Sequence, residues 1–467
     1  MNRQNKPSCL DSIVVLLGIV SILMTGIFIL HVDIHVLLIL GLILTCLVSY
    51  KCGYSLDEMI DGMKLSVSRA MGALIIFILI GMIIATWIQC GTVPALIYYG
   101  LKILSPKYFL PAGLVICSIV SLGTGTSWGT IGTIGLAMMG MGASLGIPPH
   151  IVAGMVVSGA FFGDKMSPIS DTTNLSAVSA GTDLYTHIKG MLYTTIPSYI
   201  ISLGIYAYIG KGFCGGTSSD FSQIQLIQDV LSHKFNLNPI VILPMVIVLV
   251  LNIMKVSSIP TMVIGTVIGG IFAVFFQCEH ITSVLNVINH GYTDATGIEL
   301  IDKLLIRGGI QNMMWTFSLS FIALCLGGVL EKAGFIEVII EKVIKKVKST
   351  GSLVTLVIAS CTVANASMGE IYLSVILNGS LYKNIFEERG FANNMLSRVL
   401  EEGATLTGAL IPWTTAGAFI SSTLGVSTFA YAPYAFLNII NPILSIVLSY
   451  LGIFVFMKNK NREEKTA

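Results

Sequence analysis

"GDKMSPISDTTN", residues 163–174, is the stretch on which the reading of this chain turns. It carries Asp164, Lys165 and Asp171, a helix-breaking Pro168, and hydroxyls at Ser167, Ser170, Thr172 and Thr173. Long apolar segments flank it on both sides. Such a stretch is an ordinary loop in a soluble protein, so its surroundings decide what it is.

Those surroundings are apolar throughout. Of 467 residues, 54% are hydrophobic and 11% charged, with a mean hydropathy of +0.86. Soluble domains carry about a quarter charged residues, so most of this surface must face something other than water. Runs near the roughly 20 residues needed to cross a bilayer recur throughout. They cover 12–30, 34–50, 70–88, 239–254, 259–276, 312–330 and 433–457. The chain reads as an all-α polytopic protein of the lipid bilayer. The first run, after Arg3 and Lys6, has no evident small-residue cleavage site and reads as a retained first helix. Nine cysteines stand singly with no C-x-x-C pair, which argues against a disulfide framework and a zinc site. A net charge of +2 without a polybasic arm gives no sign of a nucleic-acid partner.

The sequence repeats itself once. Gly53-Tyr54 returns as Gly291-Tyr292, an offset of 238 (291 − 53), and Arg69 returns as Arg307 at the same offset. Gly91 matches Gly334, Ser127-Trp128-Gly129 matches Ser367-Met368-Gly369 at an offset of 240, and Pro168 and Gly181 match Pro412 and Gly425 at 244. The expected organisation is one transmembrane repeat over 1–210, a polar linker over 211–234, and a second repeat with a cytoplasmic tail over 235–467. After Arg69 come two lysines, Lys102 and Lys107; after Arg307 come Lys332, Lys342, Lys345, Lys346 and Lys348. Before these helices the first half has Lys51, Lys64 and Arg69 and the second only Lys303 and Arg307. The basic bias therefore reverses, the mark of inverted-topology repeats. It places both termini, with Arg3, Lys6, Lys458, Lys460, Arg462 and Lys465, in the cytoplasm.

Secondary transporters bind substrate where such halves meet, on discontinuous helices near the midplane. Irregular backbone at that depth is tolerated only when shielded from lipid. Matching breaks are present: "SLGTGTSWGTIGTIG" (121–135) and 163–174 in one half, "CTVANASMGEIYLS" (361–374) and "EEGATLTGALIPWTTAG" (401–417) in the other. The opening stretch is thus a broken helix that must solvate an ion where water cannot.

Carboxylates in or beside the breaks sharpen this. A charge at the bilayer centre costs roughly 3 kcal/mol on insertion scales, so such groups line a pathway or pair up. A buried carboxylate that accepts either a proton or Na⁺ is an exchanger in minimal form. Asp171, among hydroxyls and an amide, is the first choice for Na⁺, with Thr172 beside it. Asp164, Thr173, Asn174, Ser127, Glu370, Glu402, Thr414 and Thr415 complete the expected ion- and substrate-binding set. Asp164 beside Lys165 reads equally well as a charge pair holding the fold. Glu401 follows Arg398 at helical spacing and reads as that arginine's partner. No catalytic residue and no cofactor is expected.

"GTGTSWGTIGTIG", "SGAFFGDKMSPISDTTNLSAVSAGTDLYTHI" and "EEGATLTGALIPWTTAGAF" resemble the NhaC-type Na⁺/H⁺ antiporters of the ion-transporter superfamily. The resemblance runs over nearly the whole chain. It implies Na⁺/H⁺ exchange in a bacterial cytoplasmic membrane. It leaves open exchange coupled to small organic acids such as malate and lactate, passage of Li⁺, and a homodimeric assembly. It does not assign ions to carboxylates. Lys165 is the only basic residue within the breaks or their immediate flanks, and this thin positive charge favours a purely cationic cargo.

Other classes find less support. No H-E-x-x-H and no evident histidine base near "GTSWG" suggest an intramembrane enzyme, and no G-x-x-x-x-G-K-[ST] suggests ATP. An ion channel usually arises from oligomeric symmetry around one pore, whereas paired halves favour alternating access. "HVDIH" (31–35) reads as an interfacial turn rather than a metal site. Thr182 or Asp183 should cap the next helix, with His187 at its interfacial end. The glycines of 129–142 and 265–270 should permit close helix contact, and amphipathic 337–348 should lie along the interface.

Overall fold

The computed structural model describes residues 6–103, 106–213, 218–254, 256–298, 301–302 and 305–458. Arg3, Lys303, Lys460, Arg462 and Lys465, used above in counting charge, lie outside them. Among the described residues the regular elements are helices, with one isolated antiparallel bridge between Phe391 and Met457. Eight of these helices are long and apolar enough to cross a membrane, and two bent pairs raise that to ten. The protein is a multi-pass membrane protein. Helices dominate because backbone N–H and C=O groups in lipid must be satisfied within their own segment.

Helix starts follow side-chain chemistry. Ser8 with Asp11 and Ser55 with Glu58 form capping boxes. Asp33 of "HVDIH" caps Ile34–Lys51, accepting from the His35 amide at 3.0 Å. Asp183 caps Leu184–Gly212, accepting from the Thr186 amide at 2.9 Å. The Thr186 side chain and amide hold the Asp183 carboxyl below the usual carboxylate range. His187 does not reach an interface: it is fully buried, with Nδ1 2.7 Å from Ser397 Oγ. It lies on the face that packs against Asn393–Leu400. Part of the 211–234 linker is itself a helix, Ser218–Lys234, because Ile227 and Leu231, four residues apart, are buried against the core.

The repeat is plain in the helix boundaries. Pro106–Thr124, Ser127–Ser144, Pro149–Met166, Asp171–Ala180 and Leu184–Gly212 begin 244 residues before Thr350–Met368, Ile371–Glu388, the Asn393–Gly408 run, Thr415–Leu424 and the Thr428–Tyr431 turn that leads into Phe436–Tyr450. Both hairpin tips carry a left-handed glycine followed by an extended residue: Gly125 (φ 70°) then Thr126, and Gly369 (φ 70°) then Glu370. The register at the tips is therefore 244, not the 240 that pairing Ser127 with Ser367 suggested. The arms return on themselves. Gly142 lies against Phe109 in the first hairpin, and Ser374 Oγ donates to Cys361 O at 3.0 Å in the second.

The halves also pack reciprocally. Asp171–Ala180 lies on Ile371–Glu388, and Thr415–Leu424 lies on the equivalent first-half hairpin arm. Among the described residues one π turn occurs in each half, at Ile131–Gly135 and Glu401–Thr405. They fall at inequivalent positions.

Glycines let helices meet at backbone distance. A Cβ on Gly62 would stand 2.6 Å from Gly328 O, and one on Gly328 would stand 2.4 Å from Gly62 O. Neither neighbour is a flexible side-chain end. Gly62→Val should therefore cost about 1–3 kcal/mol of overpacking and lower the thermal midpoint of detergent-purified protein. Gly123→Ala, which meets nothing within 4 Å, should leave it unchanged. Equal melting of the two variants would contradict this packing.

Candidate functional site

Four helix N-termini open into one cavity of about 690 Å³. They begin at Ser127, Asp171, Ile371 and Thr415, each of which lines the wall. Each start is prepared by an extended residue, respectively Thr126, Ser170, Glu370 and Thr414. Thr126 Oγ1 accepts from the Gly129 amide at 3.3 Å, and Thr414 Oγ1 from the Gly417 amide at 3.0 Å. The Thr415 amide donates to Gly369 O at 2.8 Å, tying a half-helix to the opposing hairpin tip. Amides and aligned dipoles at these ends favour negative charge nearby.

The negative charge is there. Asp164, buried at the end of Pro149–Met166, accepts from Ser127 Oγ at 2.6 Å and from Ser170 Oγ at 2.5 Å. Ser170 Oγ lies 3.1 Å from Thr172 Oγ1, which donates to Glu401 Oε1 at 3.0 Å. Ser176 Oγ donates to Glu401 Oε2 at 2.5 Å. Two buried carboxylates thus stand at the ends of a pair of adjacent hydroxyls, each giving its single proton outward. The Ser170–Thr172 link becomes a hydrogen bond once one carboxyl is protonated and its hydroxyl turns inward. Across the cavity, Glu370 accepts from Thr415 Oγ1 at 2.7 Å. Asp171 faces the cavity at the first position of its helix. Trp128, also in the wall, stacks on Phe419 with ring centroids 4.3 Å apart, so each half contributes one ring.

A second cluster stands apart from the cavity. Glu402 Oε1 accepts from Thr194 Oγ1 at 2.5 Å and lies 3.8 Å from both Lys165 Nζ and Arg398 Nε. Lys165 also donates to Asn441 Oδ1 at 2.7 Å. All three charged side chains are buried. Removing one partner of such a set leaves a buried charge uncompensated and costs about 3–5 kcal/mol, so loss of any member should destabilise the protein.

This combination of paired hairpin tips and hydroxyl-bound carboxylates coincides with a family. A sequence model described as the Na⁺/H⁺ antiporter family matches residues 9–180 and 159–453. The chain belongs to that family. It is an antiporter and not an enzyme. It is similar to the Na⁺/H⁺ antiporter NhaC of Alkalihalophilus pseudofirmus, 40% identical over 94% of this chain and 95% of that one. The malate-2H⁺/Na⁺-lactate antiporter of Bacillus subtilis is 35% identical over 97% of each chain. The arginine/ornithine antiporter ArcD of Halobacterium salinarum is 33% identical over 98% of this chain and 94% of that one.

Of the residues singled out in the sequence, Ser127, Asp164, Asp171, Thr172, Asn174, Glu370 and Thr415 line the antiporter's cavity. Three do not. Thr173 Oγ1 turns back to donate to the carbonyls of Asp164 and Lys165 at 3.1 and 3.0 Å, closing the break. Thr414 caps its helix, and Glu402 belongs to the second cluster. The carboxylate on the hydroxyl chain is Glu401, which helical spacing had assigned to Arg398; Glu402 holds that place instead. Asp164 does not pair with Lys165, because successive side chains on a helix point about 100° apart. Arg69 is the basic residue in the cavity wall, held by Glu331 Oε1 at 2.6 Å. Its distance in sequence from every break hid it.

A hydrogen bond to a charged group is worth about 1.5–3 kcal/mol, a factor of roughly ten or more. Thr172→Val, which removes the hydroxyl between Ser170 and Glu401, should lower Na⁺-dependent proton movement in proteoliposomes at least tenfold, and Thr172→Ser should restore it. Thr173→Val should instead lower thermal stability and leave most transport. The reverse pattern would remove Thr172 from the site.

Proposed function

We propose that the protein exchanges Na⁺ for H⁺ across a bacterial cytoplasmic membrane by alternating access, with inverted halves and both termini in the cytoplasm. One observation carries the reading. Asp164 and Glu401 are buried, and among the described residues their partners are neutral hydroxyls, with no basic side chain within ion-pair distance. Hydroxyls and helix ends offset part of the cost of burying these charges, and Lys165 acts on Glu401 from beyond ion-pair distance, but no directly paired cation neutralises either carboxylate. Each therefore favours taking up a proton or a metal cation, and the alternatives exclude each other.

Na⁺ entering the cavity meets Asp171 at the wall, then Asp164 with the oxygens of Ser127 and Thr172. A proton reaching the same chain spreads between Asp164 and Glu401 through Ser170 and Thr172. Binding of one releases the other, so the gradient of either ion drives the other. Glu370 with Thr415 supplies a carboxylate on the facing half. Lysines near 345 and 102 fall on opposite sides under this reading, which follows from the reversed basic bias.

A second reading has its own support. The cavity is far larger than the roughly 30 Å³ share of one water, and Arg69 stands in its wall. With the half-helix N-termini, it can receive the carboxylate of a small organic acid. The malate and lactate named for the Bacillus subtilis relative fit that chemistry.

Purified protein in liposomes separates the two. With Na⁺ and a pH gradient but no organic acid, proton movement should be seen, and Asp164→Asn should abolish it while Asp171→Asn raises the Na⁺ concentration needed. Movement only after malate, lactate or another carboxylate is added would make the cargo an organic anion. Impermeant thiol labelling should reach cysteines placed near Lys345 from the cytoplasm and near Lys102 from outside. Labelling of both from one side would rule out inverted halves.

A further inference from the structure

Arg69 and Arg307 occupy equivalent places, each just ahead of a long helix, Met71–Gln89 and Ile310–Ala333. The structure treats them differently. Arg307 donates from Nη2 to Thr423 O at the C-terminal end of the half-helix Thr415–Leu424. Its Nη1 stands 3.5 Å from where a Cβ on Gly425 would be, and Gly425 is the left-handed residue that ends that helix. Ile84, Ile88, Ile97 and Leu136 line, with Arg307, a space of only about 10 Å³. A cation there meets the negative end of the helix dipole. On this side the molecule is shut.

Arg69 faces the 690 Å³ cavity and is bonded to Glu331. The half-helix equivalent to Thr415–Leu424 is Asp171–Ala180, also ended by a left-handed glycine, Gly181 (φ 77°). In the 244 register the counterpart of Thr423 is Ser179. Arg69 therefore has a matching helix end that it does not occupy; Lys383 holds that end, with Nζ 2.7 Å from where a Cβ on Gly181 would be. On this side the molecule is open.

We propose that Arg69 and Arg307 are paired positioning residues that set which face is open, each shutting its own side by docking on the carbonyl end of its half-helix. In the opposite state Arg307 leaves Thr423 O and faces a cavity, while Arg69 docks on Ser179 O. This rests on the alternating-access reading above. The two half-helices carry Asp171 and Thr415 at their other ends, so a docked arginine holds the ion-facing N-terminus in place from behind. The two latches are alike in kind, but to engage, Arg69 must displace Lys383 from its helix end.

The test is side-resolved. The reporter is Asn174→Cys, in the cavity wall, in protein whose reactive native cysteines have been replaced. Arg307→Met should raise its labelling by an impermeant thiol reagent from the face now shut about fivefold or more. Arg69→Met should lower labelling from that same face. An arginine that merely stabilises the fold predicts no opposite shift, so equal labelling ratios in the two variants would overturn the proposal. A further variant needs neither substitution to methionine. The pair Arg69→Cys with Ser179→Cys should crosslink under oxidant during turnover, and the crosslinked protein should label at 174 only from the opposite face. Failure to crosslink while Na⁺-driven proton movement persists would also overturn it. Absence of that proton movement in the unmodified protein would instead refute the exchange reading on which it stands.

Discussion

A backbone amide inside a bilayer must have a partner, and four helices here begin where no preceding turn provides one. Everything else at the centre of the molecule answers to that constraint. Left-handed Gly125 and Gly369 turn the chain at the tips, and Thr126 and Thr414 accept from the amides that follow. The Gly369 carbonyl takes the Thr415 amide from the facing element. Once those groups are met, carboxylates are the natural occupants of the remaining positive field, and Asp164, Asp171 and Glu370 stand there. Close helix packing, as at Gly62 and Gly328, keeps lipid away from a region it cannot solvate.

The membrane class and the breaks were legible because both are written in composition: long apolar runs, interrupted by glycine, proline and hydroxyls at matching distances. The register was legible where glycine or proline marks a backbone requirement, as at Gly181 with Gly425 and Pro168 with Pro412. It failed at the tips, where Ser127 was matched to Ser367 by identity. What recurs there is a left-handed residue followed by an extended one, and the extended residue is Thr126 in one half and Glu370 in the other. Geometry is shared between the halves while chemistry is not, so letters mislead.

The carboxylates show a second limit. Glu401 and Glu402 both stand at helical distances from Arg398, and no count of residues chooses between them. The two adjacent glutamates point to different neighbours, as successive residues of any helix do. The π turn from Glu401 to Thr405 widens the helix, so that ordinary spacing does not say which of them meets Arg398. Glu401 goes to Thr172 and Ser176, Glu402 to Thr194 and the two cations. Nothing in "EEGAT" announces that widening. Arg69 was missed for a different reason: it joins the cavity through tertiary packing, far in sequence from any polar break.

The π turns have a consequence for length. A π turn takes up one residue more than an α turn, so its helix falls short of a counterpart with the same number of residues by about one rise, ~1.5 Å. In the first half the shortened member is the hairpin arm Ser127–Ser144; in the second it is the Asn393–Gly408 run. The two halves are therefore copies with unequal legs, each short where the other is long.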